Sequence, residues 1–191
     1  MTFSTVEREK IYNSLMDSCE EEWCADGYKK TKIDSLCLKA GISKGSFYLF
    51  FDSKEDIFCE VLLRKQKELT AIIKEELGEH PEKGDLARAL KRTFRLYVKL
   101  PFLSEIESPD FLSFIAKIPE NRLNELVNNS EFNFKKIIRS TNLKYKIDER
   151  KGLSALSLLF RSLPKDGGAL LFDPFETVDF MIDSLVKDIF F

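Results

Sequence analysis

The 191-residue sequence has one histidine, one tryptophan, six prolines and eight glycines, and it has no apolar run near the ~20 residues that cross a bilayer. Its only histidine, His80, stands in Glu79-His80-Pro81, a loop, and no two of its four cysteines have the two-residue gap of a zinc site. No nucleophile, base and orienter pattern and no glycine-rich phosphate loop occurs, so the sequence argues against an enzyme and calls for no metal and no cofactor. The start, Met1-Thr2-Phe3-Ser4-Thr5, lacks the charged-then-apolar order of a signal peptide, which leads us to expect a cytoplasmic protein without membrane contact. Repeats and low-complexity tracts are absent too. In such a compartment Cys19, Cys24, Cys37 and Cys59 read as small apolar core residues; Cys24, off the buried stripe, is the better candidate for reactivity.

What the chain does have is a sizeable apolar content, 43%, and an uneven distribution of charge. The net charge of −2 argues against indiscriminate affinity for polyanions. Between residues 29 and 44, however, Lys29, Lys30, Lys32, Lys39 and Lys44 face only Asp34, a local balance of +4 directly after Glu20, Glu21 and Glu22. A patch of that size can hold phosphates with a salt-sensitive grip. Taken alone, it is more simply a solvated face.

Its context favours the first reading. Ser4 and Glu7 have capping-box spacing for a helix running to about Asp26, with Ile11, Leu15, Cys19 and Trp23 on one face and Met16 widening it, until Gly27 stops it. Thr31 and Asp34 are spaced to cap a second helix carrying Ile33, Leu36, Cys37 and Ala40, and Gly41 supplies the positive φ of a tight turn. Ile42 can plug the corner and Ser43 can cap a third segment, whose Phe47, Phe50 and Phe51 face inward. Lys44, Gly45, Ser46, Tyr48 and Leu49 are left outward. Two short helices joined by a glycine turn, with that mixture on the outer side, form a helix-turn-helix suited to a DNA groove.

The run Ser43-Lys44-Gly45-Ser46-Phe47-Tyr48-Leu49-Phe50-Phe51, followed by Ser53-Lys54-Glu55 and preceded by Gly27-Tyr28, Thr31 and Ala40-Gly41, resembles the N-terminal signature of the TetR family of bacterial transcriptional regulators. The resemblance covers roughly residues 8–62. It implies a homodimer that binds a double-stranded palindromic operator and usually represses. It also places Thr31, Tyr48 and Lys54 at positions that contact phosphate, and Lys44, Ser46 and Leu49 where bases are read. The chain departs from the family pattern at Phe50, often Tyr or His, for which burial is the expectation, and at Cys37 and Glu22, usually Ala and Leu.

Downstream, Ser53 and Asp56 are spaced to cap a long helix toward Gly78, the only covalent path from head to body. A linker spans Glu79–Gly84, and Asp85 is expected to cap a helix ending before Pro101. A shorter segment follows from Pro109, then a helix from Glu120 to about Ser140 that Asn128-Asn129-Ser130 could interrupt. Asp148 can cap a helix carrying Leu153, Leu156, Leu159, Phe160 and Leu163; after Pro164–Gly168, Asp173-Pro174-Phe175-Glu176 is a strong helix start. The expected fold is all-α: an N-terminal three-helix head over residues 1–52 on a larger helical body over residues 53–191, with a two-fold dimer through the last two helices.

The final helix is apolar around more than one face, so Leu156, Phe160, Phe175, Val178, Ile182, Leu185 and Ile189 are the expected dimer contacts, the other reading being a helix buried within the monomer. By the resemblance, the body lines an effector pocket, for which Phe94, Tyr97, Phe102, Phe111, Phe114 and Ile118 are the candidates; an ordinary aromatic core is the alternative. Together these features suggest a repressor released from its operator by a small apolar or aromatic ligand. The alternatives are an effector-independent DNA-binding regulator and a helical protein-interaction module.

Overall fold

The structure, a computed structural model, describes residues 3–104, 106–139, 141–161 and 172–191. Helix is the regular structure among the described residues, apart from an isolated antiparallel bridge between Tyr145 and Phe190. No helix among them is long and apolar enough to cross a membrane.

Helix α1 spans Thr5–Lys30, and the Ser4–Glu7 capping box forms as expected: Ser4 N–H donates to the Glu7 carboxylate at 2.8 Å and Glu7 N–H to Ser4 Oγ at 3.3 Å. Leu15, Met16, Cys19 and Trp23 are its buried side. Gly27, at φ 82° and ψ 171°, interrupts the helical path, and a last turn resumes to Lys30. Helix α2 covers Ile33–Ala40 with Lys32 at its N-cap. The Thr31–Asp34 capping box does not form, because the Thr31 hydroxyl and N–H both donate to the Gly27 carbonyl, at 2.8 and 3.2 Å, closing α1 instead.

Gly41 ends α2 in the left-handed region at φ 68°, ψ 30°, and Ser43 caps α3, Lys44–Phe47, by accepting from Ser46 N–H at 3.2 Å. This helix is shorter than the inward spacing of Phe47, Phe50 and Phe51 suggested. Beyond Phe47 the chain continues as turns, with Leu49 N–H donating to Ser46 O at 3.1 Å and Phe50 N–H to Phe47 O at 2.9 Å. Helix α4, Lys54–Leu77, starts with Asp56 N–H on Ser53 Oγ at 3.0 Å; the Asp56 carboxylate reaches back to Asp52 N–H, at 3.2 Å, one residue earlier than a strict capping box requires.

The remaining helices are α5 (Lys83–Tyr97), α6 (Pro101–Ser104), α7 (Pro109–Ile115), α8 (Glu120–Arg139), α9 (Glu149–Arg161) and α10 (Pro174–Ile189). Glu82, not Asp85, is the N-cap of α5; Asp85 sits three residues on and accepts Glu82 N–H at 2.8 Å. Asn128-Asn129-Ser130 does not interrupt α8, since Leu126 before it and Ile137 and Ile138 after it all have buried positions to fill. Asp148 and Asp173 cap α9 and α10 as their sequences indicate. Leu163 and Pro164–Gly168 lie outside the described residues.

The chain divides into two compact units, Met1–Gln66 with Pro101–Asn129, and Lys67–Leu100 with Ser130–Phe191. The division falls inside α4 and α8, and α6 and α7 belong to the same unit as the head. In that first unit Trp23 is stacked on Phe102, their ring centres 4.3 Å apart, and touches Phe58 and Phe114 at 4.5 and 5.2 Å. The second unit is built on α10 packed against α5, with α9 beside it: Leu86, Leu90 and Phe94 meet Leu156, Leu159, Val178, Ile182, Val186 and Ile189. Each such side chain contributes ~1.5–3 kcal/mol when fully buried.

This core takes up part of the apolar surface of the last two helices. Leu156, Val178, Ile182 and Ile189 are packed within the chain's own second unit, Leu185 and Phe160 lie at its margin, and Phe175 is exposed. A helix apolar all round does not reveal from sequence which stripe turns inward; here α5 takes the Val178-Ile182-Val186-Ile189 stripe. The apolar side chains left outward on α9 and α10 are Leu158, Phe175, Phe180 and Met181.

Candidate nucleic-acid interface

The head presents its outer residues by burying the alternate ones. Phe47 is fully buried, edge-on to Tyr48 and tilted against Phe51, which in turn stacks on Tyr12 of α1 at 5.2 Å. With Phe47 anchored, Lys44, Gly45, Tyr48 and Leu49 face outward; Tyr48 is 51% and Leu49 52% exposed. A Cβ built on Gly45 would meet nothing closer than Ser43 Oγ at 3.8 Å, so the protein's own packing does not demand glycine there. A bare backbone at that point allows close approach of another surface.

The other candidates divide. Lys32 is exposed at the start of α2. Ser46 is half-buried with its hydroxyl 2.9 Å from Ser43 Oγ. Lys44 Nζ lies 3.0 Å from the Asp34 carboxylate, whose hydrogen bond and charge raise the lysine's pKa. Thr31 is only 2% exposed, its hydroxyl engaged on Gly27. Lys54 donates to the Tyr28 carbonyl and lies 4.3 Å from the Tyr28 ring centre and 5.6 Å from that of Phe58; burial lowers its pKa. The exposed set is therefore Lys32, Lys44, Gly45, Tyr48 and Leu49, while Thr31 and Lys54 join the head internally.

Three residues around this patch are not indicated by the local sequence pattern. Arg8 of α1 donates to the Leu49 carbonyl at 3.1 Å and covers the Phe50 ring at 5.1 Å, so Phe50 is half-buried under a guanidinium instead of within the core. Leu38, on the outer side of α2, is 83% exposed. Asp110, at the start of α7, accepts Tyr28 N–H at 2.5 Å and Lys29 N–H at 2.9 Å, a contact across more than eighty residues that no local signal could indicate.

Beside the patch, an open groove between α1 and α2 is lined by Glu21, Glu22, Lys30, Lys32, Ser35 and Lys39 among others. Its charges are partly matched within it: Lys39 pairs with Glu21 and Glu22 at 3.5 and 3.4 Å.

The aromatic candidates fall in different units. Phe102, Phe111 and Phe114 surround Trp23 in the first unit, where Ile118 is also buried, whereas Phe94 and Tyr97 stand edge-on to Phe160 in the second, at 5.5 and 5.7 Å. All four cysteines are free thiols; Cys19, Cys37 and Cys59 are buried and Cys24 is half-exposed. Burial raises their pKa values, that of Cys59 to about 11, so each stays protonated at neutral pH. Among the described residues no three His, Cys, Asp or Glu side chains converge to hold a metal ion.

Residues 15–61 match the family model of bacterial regulatory proteins, tetR family. The chain is 27% identical over 86 residues to the fatty acid metabolism regulator protein of Bacillus subtilis (strain 168), a match covering 44% of each protein. It spans less than half the length of the curated relatives it matches. In fold it is similar to PfmR, a TetR family transcriptional regulator from Thermus thermophilus (24% identity, 91% of this chain and 97% of that one, TM-score 0.59). It is also similar in fold to the transcriptional regulator FadR from Bacillus subtilis in complex with stearoyl-CoA (20% identity, 93% and 99%, TM-score 0.63).

Proposed function

We propose that the chain, whose residues 15–61 match the family model of bacterial regulatory proteins, tetR family, is a cytoplasmic DNA-binding repressor that acts as a homodimer on a palindromic operator. The observation that carries this reading is the exposed Lys44-Gly45-Tyr48-Leu49 edge, held on a buried Phe47 beside a local excess of lysine. On a duplex, Lys32 and Lys44 are suited to phosphate, the Tyr48 hydroxyl to a phosphate oxygen, and Ser46 and Leu49 to base edges. Two heads serve a palindrome when they stand about one helical turn apart, ~34 Å. The outward Leu158, Phe180 and Met181 of α9 and α10 support pairing of two copies through these helices.

The proposed effector is a small apolar or aromatic molecule that binds better to the form with mis-spaced heads and so weakens operator affinity by the same coupling factor. The acyl chain of the stearoyl-CoA bound by Bacillus subtilis FadR makes a long-chain acyl group the first apolar probe for this chain. An effector-independent regulator is the second reading, favoured by the ring-on-ring packing of Trp23, Phe102 and Phe114. Gel shifts with a palindromic fragment from the protein's own promoter test the proposal. Retarded bands that resist random competitor DNA support it, and equal affinity for every sequence would refute it.

A further inference from the structure

We propose that Asp110 is a positioning residue for DNA binding: its carboxylate clasps the Gly27–Lys29 turn and thereby gives α7 a hold on the reading head that does not pass through α4. The proposal rests on the DNA-binding reading above, and the experiment below separates the two.

Gly27 leaves the helical path at φ 82°, so the amides that follow it lose their places in the α1 ladder. One carboxylate takes two of them. Asp110 Oδ2 accepts from Tyr28 N–H at 2.5 Å and Oδ1 from Lys29 N–H at 2.9 Å, charge-assisted bonds of the stronger kind. The approach is so close that a Cβ on residue 27 would lie 2.8 Å from Oδ2 and 3.0 Å from Cγ. Backbone conformation and space thus both require glycine opposite this aspartate.

The clasped residue is a junction. The Tyr28 hydroxyl donates to Glu55 and its carbonyl accepts Lys54 Nζ, both from the first turn of α4. Its ring stands edge-on to Phe58 at 5.1 Å and beside Phe114 of α7 at 5.4 Å. Three residues further on, Thr31 leads into α2 through its bonds to the Gly27 carbonyl. The Gly27–Thr31 turn therefore sets where α2 begins, α2 and Gly41 set where α3 begins, and Asp110 fixes that turn from α7. A residue that only ended α1 could be supplied locally, as Ser108 is for α7, where its hydroxyl accepts Phe111 N–H at 3.2 Å.

The test uses the full chain and the promoter fragment of the gel shift, well below the thermal midpoint. Asp110→Ala is compared with Asp110→Asn, which keeps one acceptor oxygen and guards against a failure to fold, and with Gly27→Ala, which leaves the carboxylate in place but drives it off. Hydrogen exchange reads the clasp, and fluorescence anisotropy reads operator affinity. We expect the Tyr28 and Lys29 amides to exchange about tenfold faster or more in Asp110→Ala and Gly27→Ala, and operator affinity to fall by about tenfold, with Asp110→Asn between them and wild type. Unchanged exchange overturns the clasp, and faster exchange at unchanged affinity overturns the positioning role. Wild-type protein that prefers no palindromic duplex refutes the DNA-binding reading itself, whereas loss of affinity confined to the variants upholds both.

Discussion

Asp34→Asn gives the most direct handle on the electrostatics of the patch. Asp34 is the only acidic residue between positions 29 and 44, and its carboxylate lies 3.0 Å from Lys44 Nζ with both side chains more than half exposed. The substitution raises the local balance from +4 to +5 and frees Lys44 for a phosphate. On B-DNA each additional phosphate neutralised steepens the dependence of log K on log salt by about 0.9. A fourfold drop in salt, from ~200 to ~50 mM, should then strengthen the variant's binding to a random-sequence duplex by about 3.5-fold more than it strengthens wild type. Anisotropy titrations across that range measure both slopes. Because exposed ion pairs add little to folding, the thermal midpoint should stay within about 2 °C. Parallel salt plots for the two proteins would refute the argument that this lysine is available to the backbone of DNA.

Three other expectations are independent of that one. Tyr48→Phe removes a hydroxyl from an exposed ring and should weaken binding to all sequences alike, whereas Leu49→Ala should alter base preference in a selection from random duplexes; uniform loss for Leu49→Ala would contradict its assignment to base edges. Gly41→Ala should cost about 1–2 kcal/mol in chemical denaturation, because φ 68° is strained for alanine while its Cβ would meet nothing within 4 Å; no measurable loss would contradict the left-handed cap. Phe180→Glu, at a side chain 70% exposed on α10, should leave helicity intact and convert the proposed dimer to monomer in sedimentation velocity, and a dimer that persists would move the interface elsewhere.

How far the sequence was legible follows from the range over which each determinant acts. The Ser4–Glu7 box, the Gly41 turn, the Ser43 cap and the Asp173-Pro174 start depend on residues within four positions, and the structure realises them. Thr31 and Asp85 had the right spacing to cap, yet Gly27 took the hydroxyl of one and Glu82 the N-cap place of the other. Lys54, which the resemblance places on phosphate, also meets a carbonyl and a ring of Tyr28, a partner that no local spacing indicates. Arg8 on Leu49 and Asp110 on Tyr28 are products of tertiary packing alone. On α10 the periodicity marked a helix with too many apolar positions, and only the approach of α5 decides which are core.

In the proposed mode of action two copies of this head read one duplex together. Sedimentation equilibrium of the chain with a palindromic promoter fragment tests it: the account predicts two 22.2 kDa chains per duplex, with a footprint on two half-sites about 10 base pairs apart. A single chain bound per duplex, with no preference for the palindrome, would contradict it.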